Sequence, residues 1–119
     1  MIKEDYVSFE TDKLLKEKGY NCGSRFWYDD KGIVSQKYIE QTDKPLGLDS
    51  HFPCITQQMA TKWLREVYNI DITVTPDRKV GYSVLIFKDK RLPFDTLNSY
   101  SIYEQACEAA IKYCLENLI

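Results

Sequence analysis

Residues 56–69, TQQMATKWLREVYN, decide how the rest of the chain is read. Pro53 stops any regular element before them, and Thr56 can cap the N–H groups of a first helical turn. Met59, Trp63 and Val67 recur at steps of four, with Ala60 and Leu64 beside them. That spacing makes one apolar face at the helical period. Gln57, Gln58, Lys62, Arg65 and Glu66 fall on the wetter side. Trp63 carries a side chain able to bury on the order of 200 Å². It is the expected centre of the core, and Trp63→Ala is expected to cost about 3–5 kcal/mol if that site is interior.

The helix runs directly into a hairpin. Ile70, Ile72 and Val74 alternate with Asp71, Thr73 and Thr75, the pattern of a half-buried strand. Pro76 to Lys79 form the predicted turn. Val80, Tyr82, Val84 and Ile86 then share one face, while Leu85 and Phe87 take the other. A strand apolar on both faces is expected to lie centrally.

Working outward, residues 8–18 predict a short amphipathic helix. Ser8 is its N-cap, and Glu10 and Asp12 lie in the first turn, where carboxylates suit the helix dipole. Leu14 and Leu15 supply the inner face. Lys16 and Lys18 close the helix, and Gly19 is a natural residue just past its end. Residues 25–39 predict a second hairpin, with Phe26, Trp27 and Tyr28 as strand formers and a turn at Asp29 to Gly32. Residues 40–53 carry Pro45, Gly47 and Pro53 among turn-forming residues and predict a connecting loop. Residues 88–100 predict a polar loop. Ser101 and Glu104 match a capping box before a C-terminal helix from Ile102 to about Asn117. The alanines of that helix permit close approach to a neighbour.

The expected architecture is therefore α+β. It has an antiparallel sheet of about four strands and three helices packed mainly on one face, in the order α-β-β-α-β-β-α. The 119 residues make a single domain, 1–119, large enough to bury a core without a metal or disulfide staple. The two helix-hairpin units align weakly at an offset of 49, with Lys13, Leu15, Glu17 and Gly32 matching Lys62, Leu64, Glu66 and Gly81. An internal repeat is one reading of that match.

Composition removes several functions. A net charge of −2 gives no global attraction to nucleic acid or to an anionic membrane. The N-terminus lacks a signal-peptide core and no apolar run approaches a membrane span, so a cytoplasmic protein is expected. Cys22, Cys54, Cys107 and Cys114 fit reduced, mostly buried thiols. Cys107 and Cys114 stand seven residues apart on one helix. That is about 10 Å along its axis, too far for a disulfide.

No metal motif is present: there is no Cys-x-x-Cys and no His-x-x-x-His. Gly23, Gly32 and Gly47 stand singly, so no phosphate loop is present and no cofactor is expected. Cys22-Gly23-Ser24 resembles the nucleophile region of papain-like cysteine proteases over three residues. Arg25 and Phe26 follow where that family has a second cysteine and an aromatic residue, and His51 is the sole histidine to serve as a base. The bland reading, a turn before a strand, is preferred, and no catalytic residue is assigned.

Two binding readings remain. A nucleic-acid surface would use Lys62 and Arg65 on the central helix, Arg78 and Lys79 at the hairpin tip, and Lys88, Lys90 and Arg91 after its second strand. Phe26, Trp27 and Tyr28 would stack bases. The acidic balance and the interspersed Asp77 and Asp89 favour an ordinary solvated surface instead. A protein-binding surface asks less, because nine tyrosines supply amphipathic side chains of the kind favoured at interfaces.

Three stretches together carry a resemblance. They are Tyr6-Val7-Ser8-Phe9-Glu10 with Lys13 to Gly19, Met59-Ala60 with Trp63 to Val67, and Tyr103 to Ala106 with Ala109 to Ile111. They resemble a family of small uncharacterised proteins found in prophage-like regions of gut anaerobic bacteria. The resemblance implies a phage or mobile-element context and transfers no site residue. The expectation is a non-enzymatic accessory module, a monomer or weak homo-oligomer, whose partner is a protein rather than nucleic acid.

Overall fold

A computed structural model of the chain describes residues 5–20, 27–28, 34–35, 52–53, 55–77, 81–91 and 95–119. Its elements are α1 (Phe9–Glu17), β1 (Trp27–Tyr28), β2 (Val34–Ser35), β3 (Phe52–Pro53), α2 (Gln57–Tyr68), β4 (Ile70–Asp77), β5 (Gly81–Lys88), β6 (Asp95–Tyr100) and α3 (Tyr103–Asn117). The class is α+β, as the alternation of periods implies. The described strands form two three-stranded antiparallel sheets, not one sheet of about four. The chain divides into two compact units, Met1–Thr56 and Gln57–Ile119.

In the first unit, α1 begins and ends as its sequence dictates. Ser8 Oγ accepts the Thr11 N–H at 3.2 Å, and Glu10 and Asp12 occupy the first turn. At the other end the Tyr20 N–H donates to Leu15 O at 2.9 Å and the Gly19 N–H to Lys16 O at 3.1 Å. This paired closure needs a left-handed residue, which Gly19 supplies at φ +102°. Leu15 and Tyr20, the two side chains that bracket the closure, are both buried. The Val7 N–H donates to Ile55 O at 2.8 Å, and Tyr6 bridges to Thr56. β1 lies between β2 and β3, with Trp27 opposite Ser35 and Pro53, and Tyr28 opposite Val34 and Phe52. The predicted hairpin is thus present at its centre. β3 corrects the reading of 40–53 as loop throughout. Phe52 suits a strand, and Pro53 is tolerated because β3 is an edge; the rest of that loop lies outside the described residues.

In the second unit, β5 is central between β4 and β6, as its two apolar faces predict. Ile70, Val84 and Ile86 are buried on one sheet face. On the other, Thr75 Oγ1 and Ser83 Oγ meet at 3.2 Å. β4 continues through Pro76 and Asp77, which pair with Tyr82 and Gly81. Two residues of the predicted turn, Pro76 and Asp77, thus belong to β4, and Pro76 again sits on an edge strand; residues 78–80 lie outside the described ones. β6 corrects the reading of 88–100 as loop. Its polar sequence, DTLNSY, pairs along the free edge of β5 from Ile86–Asp95 to Tyr82–Tyr100, with a register shift between Tyr82 and Val84.

The helices cover the face that buries Ile70, Val84 and Ile86. α3 touches all three strands, and α2 touches β4 and α3. Ala106, Ala110, Ile111, Cys114 and Leu115 of α3 are fully buried, as are Ala60 and Leu64 of α2. Cys107 and Cys114 are buried free thiols. The N-terminal ends of the helices are joined by Gln57 Nε2, which donates to Glu104 O at 2.9 Å. Ser101 is not the cap of α3: Ile102 holds that position and makes no side-chain cap bond. The extended path of β6 is held through Tyr100 against Gly81, so the helix starts one residue later than the capping box predicts.

The centre of the α2 contact also moves. Gln57, Ala60 and Leu64 face inward, while Trp63 is half-buried at the margin and Met59 and Val67 are exposed. The two units do not share a strand order, since the first strand is central in one sheet and the second in the other. The 49-residue offset is therefore not accompanied by a common topology.

Candidate functional site

The outer flank of α2 is the most distinctive surface among the described residues. Met59 is 44% exposed and Val67 57%, on a helix whose opposite flank is buried. Trp63 lies between them, one turn from each, and meets the Tyr68 ring edge to face at a centroid distance of 5.2 Å. The stripe thus holds a positioned aromatic between two exposed aliphatic side chains. Lys62 and Glu66 are exposed beside it, one helical turn apart. A smaller apolar patch lies at the start of α3, where Ile102 is 48% and Tyr103 45% exposed. Tyr103 packs edge to face on Tyr82 at 5.5 Å.

The sequence-predicted cations are only partly brought together. Asn69 follows α2, and its carbonyl accepts the Asp89 N–H at 2.9 Å while its side chain donates to Asp89 Oδ1 at 3.4 Å. That link sets Arg65, in the last turn of α2, at the same end of the unit as the Lys88–Arg91 turn. Lys88 is half-buried, and its Nζ donates to Leu118 O at 2.9 Å, at the C-terminal end of α3. Lys90 Nζ pairs with Asp71 Oδ2 at 3.0 Å. Lys62, Arg65 and Arg91 are exposed. Arg78 and Lys79, and the side chains of Phe26, Trp27 and Tyr28, lie outside the described residues.

Three residues at this corner hold left-handed backbone without being glycine: Asn69 and Asp89 at φ 56° and Lys90 at φ 60°. Asp89 and Lys90 form the two central positions of a turn closed by the Arg91 N–H on Lys88 O at 3.2 Å. Asn and Asp tolerate that conformation, and Lys90 is held there with its side chain on Asp71. The corner is a tied structural joint as well as a cationic one.

The Cys114 thiol offers little chemistry. Burial pushes the Cys114 thiol up to about 12, so it stays protonated and inert. The Tyr103 hydroxyl is held above its ordinary range, first by its electrostatic interaction with the neighbouring Cys107, then by burial. Among the described residues no group of three or more His, Cys, Asp or Glu side chains is placed to hold a metal, and no helix is long and apolar enough to cross a membrane. Cys22, His51 and Cys54 lie outside the described residues.

The exposed stripe was legible as a set of residues and not as a surface. Met59/Ala60 and Trp63/Leu64 place two apolar neighbours on each turn, giving an apolar arc wider than one contact can cover. Which edge of the arc stays outside depends on tertiary packing. Comparison of the chain with protein-family models, with curated proteins and with solved structures finds no match.

Proposed function

We propose that this chain is a non-enzymatic accessory module that binds a protein partner through the outer flank of α2. The observation carrying the reading is the exposure of Met59 and Val67 on either side of Trp63. Monomeric proteins keep contiguous apolar surface small, and aromatic and Met side chains are enriched where proteins dock. A phage or mobile-element setting rests on the three-stretch resemblance alone. The nucleic-acid reading is weaker, because Lys88 and Lys90 already hold Leu118 O and Asp71.

The test is a capture experiment with the full chain and two variants. Val67→Glu places a charge in the stripe, and the double change Arg65→Ala with Arg91→Ala removes exposed cations. Capture lost in the first variant and kept in the second supports protein docking. Retention on immobilised DNA that falls steeply with salt, and that is lost only with the cations, would replace it with the nucleic-acid reading.

A further inference from the structure

We infer that the α2 stripe recognises a second copy of this chain, related by a two-fold axis that sets the two α2 helices antiparallel. The inference rests on the docking reading above and names its occupant. Met59, Trp63 and Val67 follow at steps of four along one flank of α2. A two-fold axis at the level of Trp63 pairs the two indoles and sets each Met59 against the other copy's Val67. The same patch thus serves both sides, as an isologous contact requires.

The rim carries the stronger argument. Lys62 and Glu66 are opposite charges one turn apart on the solvent side of the stripe. In an antiparallel pair the same flank of both helices comes together. With the axis near Leu64, Lys62 of each copy lies level with Glu66 of the other. The apolar pairs are then displaced by about two residues' rise, ~3 Å, which long side chains such as Met absorb. Two reciprocal ion pairs form. A parallel two-fold pair would instead bring opposite flanks together, leaving the Lys62 and Glu66 rims of the two copies on opposite sides of the seam, where they cannot pair. The rim is therefore complementary to itself in one orientation only.

The seam is short. From Met59 to Val67 it runs about 12 Å along the helix, far less than an interface of ~1,600 Å² offers. The dimer is accordingly weak and reversible, forming in the micromolar to millimolar range.

Sedimentation equilibrium of the full chain in reductant, across that concentration range, tests the inference. The wild type is expected to approach a dimer with rising concentration. Val67→Glu and Met59→Lys, both at exposed positions, are expected to weaken it by about tenfold or more, with unchanged far-UV circular dichroism. Lys62→Glu or Glu66→Lys alone is expected to weaken it several-fold, and the double swap to restore it. Restoration by the double swap separates a self-complementary rim from unspecific association. A wild type monomeric throughout, or a dimer indifferent to Val67→Glu, overturns the inference. If that monomer still captures a foreign protein in a Val67-dependent way, protein docking stands and only the second copy is removed.

Discussion

Replacing Gly81 by alanine tests the close approach on which the second unit is built, with Gly19→Ala as its reference. Both glycines hold positive φ, +123° at Gly81 and +102° at Gly19. An L-residue at either position carries a backbone cost of about 1–3 kcal/mol. The surroundings differ. A Cβ on Gly19 meets nothing within 4 Å, whereas one on Gly81 falls 2.5 Å from Tyr100 O and 3.1 Å from Ser101 Cα and O. Those are backbone atoms, which cannot swing aside. β6 or the entry into α3 must move, adding a cost of the overpacking kind, about 1–3 kcal/mol. Gly81→Ala is therefore expected to cost about 2–6 kcal/mol and Gly19→Ala about 1–3 kcal/mol. Native-state amide exchange reads each unit by itself: β5 and α3 amides for Gly81, α1 amides for Gly19. If both substitutions lower local protection by the same amount, the steric part of the reasoning is wrong and only the dihedral remains.

Three further outcomes are expected. Ser8→Ala removes the acceptor of the Thr11 N–H and should cost about 1 kcal/mol, read as faster exchange at that amide, while Ser8→Asp should retain the cap. Lys88→Met keeps the aliphatic stem but loses the bond to Leu118 O, costing about 1–2 kcal/mol and fraying the last turn of α3, seen as lost exchange protection at the Leu118 amide. The Cys114 thiol, pushed up to about 12 by burial, should make the fold alkali-sensitive. Its folded-state value lies above the unfolded one, and the protonated form is neutral. Above pH ~8.5 the unfolded chain releases that proton while the folded chain keeps it, so stability falls with rising pH until about 12. At pH 10.5 the loss is on the order of 3 kcal/mol. Urea unfolding of wild type and Cys114→Ala at pH 8 and 10.5 should show a steeper decline in the wild type; equal declines would refute it.

Local chemistry was legible in the sequence and pairing was not. Ser8, Glu10, Asp12 and Gly19 dictate α1 through bonds that span three to five residues, and α1 runs between the expected caps. Ile70 to Phe87 alternate strongly enough to fix a hairpin and its central strand. β6 failed to show because DTLNSY holds one aliphatic residue, Leu97, and no apolar alternation: its strand state comes from the free edge of β5. Ser101-Ile102-Tyr103-Glu104 failed for a related reason, since the capping box was outcompeted by the sheet path ending at Tyr100. At α2 the helix was legible and its rotation was not. Steps of four from Met59 and steps of four from Ala60 are both apolar, and only the sheet decides between them.

That rotation changes which surface has function to offer. Of the cations that suggest nucleic acid, Arg65, Lys88, Lys90 and Arg91 lie at the end of the second unit where both helices finish. α2 ends at Tyr68, tied through Asn69 to Asp89, and α3 ends where Leu118 O accepts Lys88. Helix C-termini carry partial negative charge, so cations are favoured there whatever the protein binds. Asp71 accounts for Lys90 in the same way. A basic corner explained by dipoles and an ion pair says little about phosphate. The Met59–Trp63–Val67 flank differs in kind, being apolar and exposed at Met59 and Val67. Leaving Met59 and Val67 outside works against the hydrophobic term that holds Leu64 inside, and the fold accepts it. An exposed apolar stripe with a self-complementary charged rim is what a helix-on-helix contact needs, and so the second copy is the occupant the chain itself specifies.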